Sequence, residues 1–128
     1  MKRKVFYFSM LLFATMVFIG CSTDYTDKET TYTFIYNAKD VSGVTVSALI
    51  YEYDKSGEIV GQQSLKCANG LTRVFTADSM AKKVKVKVTL KAGTKSGSYW
   101  LEEVFYLKNG KNIDIKILDS TTLVEEEP

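Results

Sequence analysis

The chain contains no histidine. That one absence removes Ser-His-Asp and Cys-His nucleophile systems together with imidazole metal sites. The two cysteines, Cys21 and Cys67, are too few and too far apart for a structural zinc site. No GxGxxG or P-loop pattern occurs. Among the carboxylates, Glu102 and Glu103 are adjacent. In a strand they would point to opposite faces, which does not suit an acid/base pair. The segment Asp54-Lys55-Ser56-Gly57-Glu58 has the outline of a calcium loop. A hairpin turn accounts for it equally well, because Asp and Ser favour turns and Gly completes the reversal. The residues therefore predict no catalytic group, no metal and no cofactor.

Aromatic side chains are better candidates for binding. If Val44, Val46, Ala48 and Ile50 look inward from one strand, Tyr51 and Tyr53 continue on the outward phase. Trp100 and Tyr106 share a face of another run, Tyr99–Leu107, in which both faces are apolar. That pattern fits either a central strand or an exposed aromatic patch. Aromatic platforms flanked by polar groups hold sugars in many proteins; the alternative for a lone Trp is the core. Lys83, Lys85, Lys87 and Lys91 form a row that would suit an anionic partner. It would equally make a solvated strand face that discourages edge pairing. Cys67 lies beside Asn69-Gly70 with only Lys66 nearby to lower its pKa, and reads as a quiet thiol.

The N-terminus supplies the chemistry of address. Lys2-Arg3-Lys4 precede a 15-residue apolar run, Val5 to Ile19, and Gly20-Cys21 follow it. Early cations and a short apolar stretch form a secretory signal. A spanning helix would need about 20 apolar residues. Phe18-Ile19-Gly20-Cys21 resembles the lipobox of bacterial lipoproteins. The resemblance implies cleavage after Gly20 and a covalent diacylglyceryl and N-acyl lipid at Cys21, which holds the chain to a bilayer.

Cleavage changes the charge. Three of the 17 cations leave with residues 1–20, so 14 remain against 15 carboxylates. The processed chain is slightly acidic, and nothing calls for nucleic acid as a partner. With Cys21 acylated, Cys67 has no partner for an internal disulfide, and stability must come from a packed core.

Residues 21–30 read as a polar tether. From Thr31 to Asp119 the pattern is β. Val84 to Lys91 alternates Val or Leu with Lys or Thr, and Ile113, Ile115 and Ile117 alternate with polar residues. Further strands are predicted at 31–37, 44–54, 59–65, 71–76 and 99–107, rich in Val, Ile, Thr, Tyr and Phe. Turns are predicted at Ser42-Gly43, Ser56-Gly57, Asn69-Gly70, Gly93 to Gly97 and Asn109-Gly110, the last as a hairpin. Gly61 lies inside a strand and marks a bulge. Asp78 to Ala81 reads as one helical turn capped by Asp78. Residues 120–128, ending Glu125-Glu126-Glu127-Pro128, read as an acidic C-terminal tail that frays.

Seven short strands with regular turns predict an all-β fold, a seven-stranded antiparallel β-sandwich of immunoglobulin- or transthyretin-like type. Signal, cysteine and domain size together resemble the small single-domain outer-membrane lipoproteins of Bacteroidetes. The resemblance implies an envelope protein at the outer membrane, with its periplasmic or surface orientation open. The function expected is a non-enzymatic binding or adhesion module for a glycan or protein; the alternative is a structural accessory subunit of an envelope complex.

Overall fold

The structure is a computed structural model and describes residues 28–128. The expected signal segment 1–20, Cys21 and the tether to residue 27 lie outside the described residues. Among the described residues nine strands follow in order: β1 Thr31–Asn37, β2 Val44–Tyr53, β3 Ile59–Cys67, β4 Leu71–Thr76, β5 Lys83–Ala92, β6 Lys95–Leu101, β7 Phe105–Tyr106, β8 Asn112–Leu118 and β9 Leu123–Val124. They form two packed sheets. The larger has the order β9-β6-β5-β2-β3, with β7 also paired to β5; the smaller has the order β4-β1-β8. The fold is an all-β sandwich, as the alternation predicts.

The core is built from the inward phase of each strand. Tyr32 and Phe34 from β1, Ile50 from β2, Val84 and Val86 from β5, Leu101 from β6 and Ile115 from β8 are all essentially inaccessible to water. Each alternates with a more exposed neighbour, because successive side chains on a strand point to opposite faces. Burying these apolar groups is the main force holding the two sheets face to face.

Several expectations need correction. β1 and β8 run parallel, so the sandwich is not wholly antiparallel. The predicted strand 99–107 is two strands, broken at Glu102–Val104. The turn predicted over Gly93 to Gly97 is tighter, since Ala92 already pairs with Lys95 and Gly97 lies within β6. Asn109-Gly110 does reverse the chain, with the Lys111 N–H donating to the Lys108 carbonyl at 2.9 Å. Its flanking strands, however, belong to different sheets, so it is a crossover and not a hairpin. A turn dipeptide specifies the local reversal, while the faces of the flanking strands decide which sheet each joins. Asp78 caps a turn by accepting from the Met80 N–H at 2.9 Å, but no helical turn follows. The segment past Asp119 does not fray. Leu123 and Val124 pair with Leu101 and Trp100.

The strand order also bears on the expected sandwich type. A constant-type immunoglobulin domain joins its first, second, fifth and fourth strands in one sheet. Here the third, second, fifth and sixth strands lie together, and the first lies with the fourth. Among the described residues the constant-type immunoglobulin order is therefore not adopted.

Candidate functional site

The outer face of the larger sheet gathers the predicted aromatic residues. Trp100 is paired with Lys87, and Tyr51 with Lys85. Tyr53 and Tyr106 are both paired with Lys83. Residues directly opposite one another share a face, so all four aromatics lie on the lysine side of β5. The break between β6 and β7 does not spoil the phase. The alternation places Trp100 and Tyr106 outward while Leu101 and Phe105 remain buried.

The aromatics and lysines are interleaved. The Tyr51 and Trp100 rings are tilted by 40° with centroids 5.6 Å apart. Lys87 Nζ stands 5.3 Å from the centre of the Trp100 ring, and Lys85 Nζ stands 5.0 Å from that of Tyr53. An ammonium over a ring face is attracted by the ring quadrupole, and its stem covers apolar surface. The patch thus offers flat apolar area and fixed positive charge together. Tyr106 is 67% exposed and extends it toward solvent.

Part of this face is already covered. Glu127 Oε2 accepts from Lys85 Nζ at 2.8 Å and from Tyr53 Oη at 3.1 Å. The Lys85 side chain is only 11% exposed and that of Glu127 45%. Since β9 lies beyond β6 and Lys85 lies on β5, residues Glu125 to Glu127 carry the chain from the β6 edge over to β5. Lys85 holds the Glu127 carboxyl below its usual range, through its hydrogen bond first. Burial, followed by the hydrogen bond to Glu127, pushes Tyr53 up to about 12.

These shifts fix the pH window of the contact. Glu127 binds its proton less readily when docked, so its contribution is full above the ordinary Glu value of about 4.3 and fades as pH falls below it. Tyr53 binds its proton more tightly when docked, so its contribution is full below about 10 and is lost as pH rises toward 12. Trp100, the single tryptophan of the chain, is paired with Val124 and reports on docking. Its emission is expected to stay flat between about pH 5 and 10 and to shift below about pH 4.3, with far-UV circular dichroism unchanged. Glu127→Gln should abolish the acid shift; an identical acid shift in that variant would remove Glu127 as its cause.

The other nominated residues find structural roles. Asp54 Oδ1 accepts from the Ser56 N–H at 2.9 Å, the Ser56 hydroxyl at 2.6 Å and the Glu58 N–H at 3.0 Å. Gly57 completes that turn at a φ of +91°. The calcium-loop outline is thus a turn whose carboxylate is engaged with its own backbone. Cys67 packs half-buried against the core, and burial pushes its thiol up to about 11, which keeps it protonated and unreactive. Glu102 and Glu103 do not point to opposite faces of a strand, because β6 stops at Leu101. Both instead line a cleft of about 180 Å³ with Lys116 and Thr122.

Sequence reasoning missed one residue. Glu52 is 1% exposed, deep on the inner face of β2. Its Oε2 accepts from Tyr32 Oη at 2.6 Å, and its Oε1 from the Asp78 N–H at 2.8 Å. The signal was available: the alternation that turns Val44 to Ile50 inward and Tyr51 outward also turns position 52 inward. Gly61, opposite Glu52, leaves room for the carboxylate. Both oxygens are engaged, so this group ties β1, β2 and the β4–β5 connection together.

No family model, curated protein or solved structure matches the chain.

Proposed function

We propose that this chain is a lipid-anchored, non-enzymatic binding module of the bacterial cell envelope. It presents the outer face of its larger sheet to a glycan or protein. The observation that carries the reading is the Tyr51–Trp100–Lys87 cluster. A tryptophan in a small sandwich ordinarily serves the core, yet Trp100 points away from it. Tyrosine, tryptophan and a cation on one face are the side chains that dominate binding energy where surfaces meet. The anchor part of the reading is supported by Gly20-Cys21 at the end of the apolar run.

The test is a glycan array and an envelope-extract pull-down with soluble chain 22–128. Trp100→Ala is expected to lower binding at least tenfold without changing the melting temperature by more than a few degrees, because Trp100 is outside the core. Equal binding by wild type and variant would remove Trp100 from the site. The second reading, an accessory subunit of an envelope complex, is supported by the edge strand β3, which among the described residues pairs only with β2 and carries Ile59 at 54% exposure. Crosslinking in native membranes that recovers only monomer would count against it.

A further inference from the structure

We infer that the outer face holds a seat for an extended acidic peptide of a partner protein, and that the chain's own segment Leu123–Pro128 occupies that seat as a displaceable strap. The inference rests on the reading of this face as the binding surface and narrows its ligand.

The seat is built around a carboxylate. Lys85 and Tyr53 are 11% and 6% exposed, yet both donate to one oxygen of an exposed Glu127. A largely covered ammonium is costly unless an anion meets it. Lys83 and Lys87 flank Lys85 on the same outward phase, so the surroundings add charge of the same sign. Three successive glutamates, Glu125 to Glu127, bring the opposite sign to this row.

The present occupant shows the form a ligand would take. It is a peptide that adds to the β6 edge as a strand, with Leu123 opposite Leu101 and Val124 opposite Trp100. It then reaches over to β5 and delivers an acid three positions later. Strand addition to a sheet edge gains affinity from main-chain hydrogen bonds and specificity from side chains. A partner segment with two apolar β-formers and an acid three residues beyond the second would reproduce every contact. The strap itself is held by two paired residues and a part-exposed ion pair, a small attachment that a competing segment can displace. Its departure would uncover the β6 edge beside Trp100 and free Lys85 and Tyr53 together.

The test uses the full processed chain carrying Val124→Pro and Glu127→Ala, which blocks strand pairing and removes the acid. A synthetic peptide of residues 119–128 is titrated in while Trp100 emission is followed. Saturable binding is expected, at least tenfold tighter than to wild type, whose own strap competes. Adding Lys85→Met to the opened variant should abolish it. Glu127→Gln alone, which leaves β9 in place, is the second opener and should give intermediate affinity; this arm decides the matter if the double substitution fails to fold. Absence of peptide binding by both openers, or binding indifferent to Lys85→Met, overturns the inference. An opened variant that binds acidic glycans but not the peptide overturns the peptide seat and leaves the face as a binding surface. Binding of neither, with Trp100→Ala also silent on the glycan array and in the extract pull-down, overturns both.

Discussion

Gly61→Ala is expected to destabilise the domain by about 2–4 kcal/mol, although it adds a single methyl group. A Cβ at position 61 would stand 2.5 Å from Glu52 Oε1 and 2.9 Å from its Cδ. The carboxylate cannot step aside, because Tyr32 and Asp78 hold its two oxygens and no water reaches it. Either the hydrogen bonds break or the β2–β3 pairing shifts. The pairing already carries a bulge there: Glu52 faces Gly61 while Tyr53 faces Ile59. The glycine is needed for space, since its backbone lies outside the positive-φ region. In a domain of this size a loss of about 3 kcal/mol lowers the melting temperature by roughly 10–20 °C. A thermal melt followed by circular dichroism checks it. Combining Gly61→Ala with Glu52→Ala should cost clearly less than the sum of the two, because the clash needs both partners. Additive losses, or a melt within two degrees of wild type for Gly61→Ala alone, would refute the account.

The second large effect separates two substitutions of Glu52. Glu52→Ala leaves the buried Tyr32 hydroxyl and the part-buried Asp78 N–H without an acceptor and opens a void beside them. Each orphaned donor costs about 1–3 kcal/mol, so a total of about 3–5 kcal/mol is expected. That is a large share of the roughly 5–15 kcal/mol that stabilises a domain. Glu52→Gln keeps the shape. Its amide oxygen still accepts from Asp78, and its amine donates to the Tyr32 hydroxyl, which turns from donor to acceptor. The expected cost is at most about 1 kcal/mol. Tyr32→Phe falls between them, since one carboxylate oxygen loses its partner. Chemical denaturation of the three variants gives the order directly; Gln as damaging as Ala would show that the charge itself is required.

Both predictions concern a site that was half legible in the sequence. Alternation is strict over Val84–Lys91 and broken only by Leu49 over Val44–Ile50, so strand existence and inward phase follow from residue type alone. The aromatics could be assigned to one face for the same reason. Which strands share a sheet is another matter. Asn69-Gly70 and Asn109-Gly110 look like hairpin turns, yet both lead from one sheet to the other. Nothing local to a turn encodes that choice, which depends on which faces can be buried together. The break after Leu101 falls at Glu102-Glu103, two successive polar residues that interrupt the alternation, but apolar residues on both sides, Tyr99–Leu101 and Val104–Leu107, make the run look continuous. The strap was hidden because an acidic, proline-ended segment reads as solvated until the lysines it meets are known to lie in its path.

The smaller sheet has a temporal consequence. Its central strand β1 is the first of the described strands to be made, but its parallel partner β8 comes about eighty residues later, with Thr31 bonded to Asn112. A chain emerging from a ribosome can close the local β2–β3 and β5–β6 hairpins early. It cannot finish the sheet opposite them until almost all of it has emerged. Folding dominated by such distant pairings is slow, and the apolar inner faces stay open in the meantime. Refolding should therefore take milliseconds to seconds and tolerate crowding poorly. A chaperone that shields the inner faces until β8 arrives would raise the yield of the native protein more than it would for a helical domain of equal length.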